Sequence, residues 1–400
     1  MDRSRHFPVK DLDADPDRGD AYYRLHIKEI YDKCINGVRR HQKRHHQKVS
    51  LYTGSLGACC YLPYCLATSQ CFPFVHLSSN QSEKARCDML MNALSFAEEI
   101  RQQQYNSMTF QRVTLLEGGL IGSLVIKILI SNALLLLVDN LDNKRSETIV
   151  SISIPGLQND MESCKEELLQ FGEAHVLPMP SPECEIFYGR AGYLKAISLV
   201  RAETSDPEFG ASIAQRVIKL IWDESKRFSA DANCSLPVMW EWHSKMYLGA
   251  AHGVTGILHS LLDFKDELLQ IDPNAQKTIE CAVTKLNGYC FESGNLISSI
   301  PQTGRERDFM KKSDHLVQFC HGAPGHVFLL TQLYHTATDG NQTSHDSSKY
   351  LSLAKGITES VILPRGLLRK GVGLCHGISG NAYCFLSIWH AELKGKQMNK

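Results

Sequence analysis

The sequence predicts an all-α fold, an α/α toroid built of helical hairpins, and three observations predict it. A Gly-x-x-Gly element recurs six times. The copies lead, as a rule, into apolar helical runs. Amphipathic, charged stretches lie between them. The copies are Gly54-Ser-Leu-Gly57, Gly119-Leu-Ile-Gly122, Gly189-Arg-Ala-Gly192, Gly253-Val-Thr-Gly256, Gly322-Ala-Pro-Gly325 and Gly377-Ile-Ser-Gly380. Their starts are 65, 70, 64, 69 and 55 residues apart, a period that marks a repeat architecture.

Each part of the repeat has a physical reading. Glycine permits a tight turn and close backbone approach at a helix entrance. The runs that follow are apolar all round: YLKAISLV after Gly192, ILHSLL after Gly256, VFLLTQLY after His326 and AYCFLSIW after Asn381. Such helices lie inside, packed on several sides. The striped, charged segments 208–228 and 265–289 read as outer helices. Two helices for each ~60 residues suit ordinary helix and loop lengths. An inner ring and an outer ring follow, with the glycine turns gathered at one end, where a site is expected. The Pro-containing stretches 177–184 and 300–305 read as inter-hairpin loops, and polar 341–348 as a surface loop. Residues 1–50 form an N-terminal extension with the first outer helix. Residues 51–400 form the toroid, in six repeats.

Bulk properties narrow the function classes. Lys+Arg and Asp+Glu are equal at 43 each, so no net field favours nucleic acid or an anionic membrane. The 14 cysteines contain no C-x-x-C pair, and residues 1–20 are charged with no apolar signal region. A reducing, cytoplasmic compartment is expected, with membrane contact peripheral at most, possible at the plasma membrane. The run 118–138, GGLIGSLVIKILISNALLLLV, approaches the ~20 residues of a bilayer span. Lys127, Ser131 and Asn132 interrupt it, which favours a buried core helix.

Reactive residues precede three of the turns. They read Gly249-Ala-Ala-His252-Gly253, Phe319-Cys320-His321-Gly322 and Leu374-Cys375-His376-Gly377. Two Cys-His-Gly triplets at equivalent repeat positions stand side by side in a repeat fold although 55 residues separate them. Thiolate and imidazole are zinc's preferred donors, and a catalytic zinc keeps three protein ligands and one open position. The alternative is that cysteines and turn histidines only fill space; duplication in register favours the metal. Arg190 either binds an anion in the pore or pairs with a carboxylate. Glu241 and His243, beside Trp242, read as structural, and His41-Gln-Lys-Arg-His45-His46 as a solvated helix face.

Longer motifs carry a resemblance. They are Pro237-Val-Met-Trp-Glu-Trp-His243, Tyr247-Leu-Gly-Ala-Ala-His-Gly253, Tyr188-Gly-Arg-Ala-Gly-Tyr193, Cys320-His-Gly-Ala-Pro-Gly325 and Gly373-Leu-Cys-His-Gly-Ile-Ser-Gly-Asn381. Together they resemble the LanC-like proteins, eukaryotic relatives of the bacterial lanthionine cyclases, and look closest to the plant branch. The resemblance implies one zinc ion held by Cys320, Cys375 and His376. It implies His321 beside the metal, His252 as an acid/base histidine and Lys370 as a glutathione-binding residue. The implied chemistry adds the thiol of glutathione, as co-substrate, to a dehydroalanine or dehydrobutyrine in a peptide or protein, with His252 supplying the proton.

The sequence also departs from the family pattern. A seventh glycine-turn hairpin is missing, the sixth outer segment is at most a short tail over 390–400, and an open toroid edge then invites a protein partner. Leu116-Glu117-Gly118-Gly119 replaces a Cys-Gly-Asp-like turn, and Gln318 stands where relatives often show histidine. The competing function is a catalytically impaired LanC-like adaptor or signalling protein. A glycosidase would need two carboxylates facing across a cleft, and no such pair marks the glycine turns.

Overall fold

The computed structural model describes residues 49–68, 79–107, 112–139, 154–180, 182–300, 314–338 and 347–398. The expectations for 1–48, including the basic cluster at 41–46, lie outside the described residues, as do those for most of 300–305 and of 341–348. The described chain is helical apart from one two-stranded pairing. It divides into two compact units. Among the described residues the first takes in those from 49 to 180 and Phe187–Ala214, the second those from 182 to 186 and from Gln215 onwards.

In the first unit a π-helical turn, Gly57–Tyr61, leads into α1 (Leu62–Thr68), followed by α2 (Ser79–Ser107), α3 (Gly119–Asp139), α4 (Ile154–Phe171) and α5 (Arg190–Thr204). Helix α3 is the apolar run of the second repeat. It is long and apolar enough to cross a membrane, yet 67% of its apolar window is buried among its neighbours. Helices α2, α4 and α5 pack on it. Its one cation, Lys127, is buried and bonded to Glu98 of α2. The same carboxylate also takes Arg101, whose NH1 reaches Glu167 of α4 at 2.7 Å. Burial pushes the Glu98 carboxyl up, but the hydrogen bonds from Arg101 and Lys127 win and hold it down at about 2.

Helix α6 (Ala211–Asp231) opens the long C-terminal part. The second unit then contains β1 (Met246–Tyr247), α7 (Val254–Leu262), α8 (Lys265–Ile271), α9 (Ala275–Leu286) and β2 (Ser299–Ile300). After these come α10 (Ala323–Thr338), α11 (Ser348–Ile357), α12 (Leu363–Arg365) and α13 (Ile378–Met398). Strands β1 and β2 pair antiparallel, Met246 opposite Ile300. The apolar helices of successive repeats lie side by side, α7 on α10 and α10 on α13, while amphipathic α11 packs outside α10.

Two expectations need correction. The outer segment 265–289 is two helices, because Pro273 lacks an N–H and stops the chain after Ile271. The tail 390–400 is no separate segment: α13 continues through Met398 without a break. Several apolar residues of α13, Tyr383, Phe385, Leu386 and Trp389 among them, are exposed.

The turn glycines act as expected. Gly189 and Gly253 are extended N-caps, and the helices of the fifth and sixth repeats begin one residue after Gly322 and Gly377. Gly322 holds φ +111°, where a side chain is strained, and a Cβ there would sit 1.9 Å from the Leu316 carbonyl oxygen. At the second glycine of the sixth turn, a Cβ on Gly380 would lie 1.9 Å from the Leu374 carbonyl oxygen. Each turn thus tucks under the loop six residues before it.

Candidate metal and proton-transfer site

The turns of the fourth, fifth and sixth repeats are laced together by backbone hydrogen bonds. Ala251 N donates to Cys320 O (3.3 Å), and Cys320 N donates to Cys375 O (3.2 Å). Gln318 and His321 exchange both backbone hydrogen bonds at 3.2 Å, so Phe319 and Cys320 form the tip of a two-residue turn. This lacing sets the residues two positions before the turn glycines, Ala251, Cys320 and Cys375, next to one another in adjoining repeats.

The ligand atoms of Cys320, Cys375 and His376 consequently lie within 4.8 Å of one another. Cys320 is buried, Cys375 half-buried and His376 exposed. Ligands ~2.0–2.3 Å from a tetrahedral zinc stand about 3.5–3.8 Å apart, so small rotations of these side chains would enclose one ion. Two sulfurs and one imidazole are a soft donor set with room for a fourth ligand, which fits zinc. The adjacent Cys375 and then burial push the Cys320 thiol well up, so Cys320 stays a protonated thiol unless a cation stands beside it. Gln318 Nε2 lies 3.0 Å from Cys320 Sγ, and Lys370 Nζ donates to Gln318 Oε1 at 3.4 Å.

A second constellation adjoins the first through His321. Its imidazole stands 6.0 Å, centroid to centroid, from that of His252 and 5.5 Å from the Tyr247 ring. Burial, His252 and Lys370 push its pKa down to about 4, and Nδ1 is buried without a hydrogen-bond partner. His321 is therefore neutral near pH 7. His252 Nδ1 lies 2.7 Å from Oε2 of Glu185, a carboxylate 1% exposed. The His252 ring also stacks on the Trp242 indole, centroids 3.8 Å apart and planes 5° apart. A tight hairpin delivers Trp242: its N–H and carbonyl pair with those of Lys245 across His243 and Ser244, which hold φ +49° and +56°.

These turns fall inside a region with known relatives. Residues 134–393 match the family described as Lanthionine synthetase C-like protein. The chain belongs to the LanC-like family. It is 31% identical over 245 residues to the Danio rerio protein named glutathione S-transferase LANCL1, covering 60% of this chain and 56% of the relative. The chain thus spans a little over half the length of that relative. Among solved structures it is similar to nisin cyclase at a TM-score of 0.54 and 15% identity, over 90% of this chain and 81% of that one. The likeness shows the fold, the α/α toroid.

Of the residues singled out in the sequence, the LanC-like fold brings together Cys320, Cys375 and His376, sets His252 and His321 beside one another and links Lys370 to Cys320 through Gln318. Arg190 belongs to the first unit, where it is buried and its NH2 donates to the Met179 carbonyl at 2.8 Å. Glu117, also in that unit, is a buried carboxylate that accepts from Thr53 at 2.8 Å and pairs with Arg112 at 2.7 Å. Sequence reasoning missed Glu185 as the partner of His252, the stacking role of Trp242 and the bond from Gln318 to Cys320. One signal marked two of them: Glu185 and Gln318 both stand four residues before a turn glycine, Gly189 and Gly322.

Proposed function

We propose that this LanC-like chain is a zinc protein that adds the thiol of glutathione to dehydroamino acids in peptides. The observation that carries the reading is the convergence of Cys320, Cys375 and His376 beside a carboxylate-anchored histidine. The name of the Danio rerio relative, a glutathione S-transferase, supports glutathione as the thiol.

Cys320, Cys375 and His376 would hold the ion, which when bound supplies Lewis acidity that keeps an incoming thiol ionised near neutral pH. The chain's own residues do the rest. Lys370 offers a cation to a glutathione carboxylate. Neutral His321 lines the approach as a hydrogen-bonding group. The reaction is an addition: a sulfur–carbon bond forms at the β-carbon, the double bond breaks, and the α-carbon takes a proton. His252, with Nδ1–H donated to Glu185, takes the thiol's proton on Nε2 and delivers it to the α-carbon, so no group leaves. Proton transfer from a positioned side chain contributes ~10²–10⁴-fold. Trp242 fixes the plane of the imidazole by stacking.

The test is to incubate the purified chain with glutathione and a dehydroalanine peptide and to weigh the product. A zinc-dependent adduct that disappears with Cys375→Ala supports the reading. No adduct with zinc-loaded protein contradicts it. One observation favours a second reading, that of a binding protein: the exposed apolar side chains of α13 offer a surface to a protein partner. Zinc-loaded, folded protein that gives no adduct would favour it.

A further inference from the structure

The two cysteines reach each other from loops of unequal firmness. Cys320 sits in a tight turn laced to its neighbours. Cys375 ends a loop that leaves α12 at Gly366, is exposed from Arg369 to Leu374, and carries Gly371 and Gly373, at which an added Cβ would meet nothing. Such a loop packs on little, so its path is set where it is tied down. The end next to Cys375 is tied by Gly377 N and Ile378 N, which donate at 3.0 Å to Gly373 O and Gly371 O, and by Cys320 N, which donates to Cys375 O at 3.2 Å.

The other end is tied to the segment before Cys320 at two points. The Arg365 guanidinium grips Asp314 in a fork, NH1 to Oδ2 at 2.9 Å and NH2 to Oδ1 at 3.0 Å, and NH2 also reaches the Asp314 carbonyl at 2.6 Å. Asp314 is held in turn by Ser293 Oγ and Asn295 Nδ2, each at 2.7 Å. Asn295, fully buried, also donates to Leu316 O at 3.2 Å and accepts from Ala323 N at 2.8 Å, fixing both sides of the Cys320 turn. The second point is Asn381 on α13, 2% exposed. Its Nδ2 donates to Val317 O at 2.9 Å and to Gly366 O at 3.0 Å, one side-chain amide bridging the segment that precedes Cys320 and the residue that opens the Cys375 loop.

We propose that Arg365–Asp314 and Asn381 form a clamp that sets the spacing of Cys320 and Cys375, and that Arg365 and Asn381 are positioning residues for the ion these cysteines would hold. The role rests on the zinc reading above, but the spacing itself does not. A forked guanidinium and a doubly donating amide define direction as well as distance, and neither lysine nor alanine reproduces this. Partners that orient metal ligands typically govern affinity by 10–100-fold.

The experiment compares wild type with Arg365→Met, Arg365→Lys and Asn381→Ala. One arm measures zinc affinity by competition with a chromophoric chelator. The other treats metal-free protein with phenylarsine oxide, whose arsenic forms two As–S bonds with a close dithiol and releases its oxygen as water, and maps the bridged peptides by mass. Arg365→Met is expected to weaken zinc by about 10–100-fold, with Arg365→Lys intermediate and Asn381→Ala comparable to Arg365→Met. Arsenical bridging of Cys320 to Cys375 should fall in the same order. Arg365 is half-buried, so Arg365→Met carries the test if Asn381→Ala fails to fold. Variants that match wild type in both arms overturn the clamp. If wild type takes no zinc, the zinc reading falls and the arsenical decides alone: bridging lost in Arg365→Met upholds the clamp, and unchanged or absent bridging overturns it.

Discussion

His252 and Glu185 form a closed pair: Nδ1 of the imidazole lies 2.7 Å from a carboxylate oxygen of a side chain only 1% exposed. In the proposed reaction a buried carboxylate so placed has a defined part. It selects the tautomer protonated on Nδ1 and stabilises the imidazolium that forms when Nε2 takes a proton. Glu185→Gln keeps the shape and removes the charge. It is expected to lower kcat for glutathione addition about 10²-fold with little change in KM, while zinc content stays at the wild-type level. Steady-state kinetics with metal analysis on the same preparation checks both. An unchanged kcat would remove Glu185 from the proton path.

His326 gives the fold a pH dependence. It is 1% exposed on α10, neither ring nitrogen has a hydrogen-bond partner, and burial pushes its pKa down to about 4. The unfolded chain binds its proton near the ordinary 6.5, so between 6.5 and 4 the unfolded state holds more protons. Stability from a neutral His326 is therefore complete above 6.5 and falls as pH drops towards 4, by about 3 kcal/mol in all. His326→Leu removes an unpartnered polar ring from the core and should flatten this dependence. Urea unfolding of both proteins at pH 7 and pH 5 measures it. Equal slopes in the two proteins would contradict the assignment.

The hairpin that carries Trp242 is strained. His243 and Ser244 both hold positive φ in a two-residue turn, the conformation for which Asn-Gly is preferred. The double change His243→Asn and Ser244→Gly should raise stability by about 1 kcal/mol, since left-handed backbone costs ordinary residues ~1–2 kcal/mol each. Thermal unfolding reads the gain. A loss would show that His243 contributes contacts worth more than its strain.

Much of this molecule is legible in its sequence because the repeat is written in backbone requirements. Glycines at the helix entrances announce inner helices, since only glycine fits where a Cβ would meet a carbonyl six residues back, as at Gly256, Gly322 and Gly380. Equivalent positions in adjoining repeats then predict that Cys320 meets Cys375. Glu185 was harder to see. It lies in an irregular loop with Glu183, and only its place four residues before Gly189 separates the buried acid from the half-buried one. Its partner His252 is 67 residues away, and only the register of the turns relates them. Trp242 lay hidden for a related reason: its stacking depends on a hairpin closed by two non-glycine residues in glycine-like conformations, which no propensity rule favours.

The metal centre is the claim on which the rest depends, and zinc analysis tests it most directly. Protein purified with zinc present is expected to carry one ion per chain, with two sulfurs and an imidazole nitrogen in its X-ray absorption spectrum. Cys375→Ala should lose the ion, and His252→Ala should keep it. Folded wild-type protein free of zinc, or zinc that survives the removal of both Cys320 and Cys375, would contradict the account.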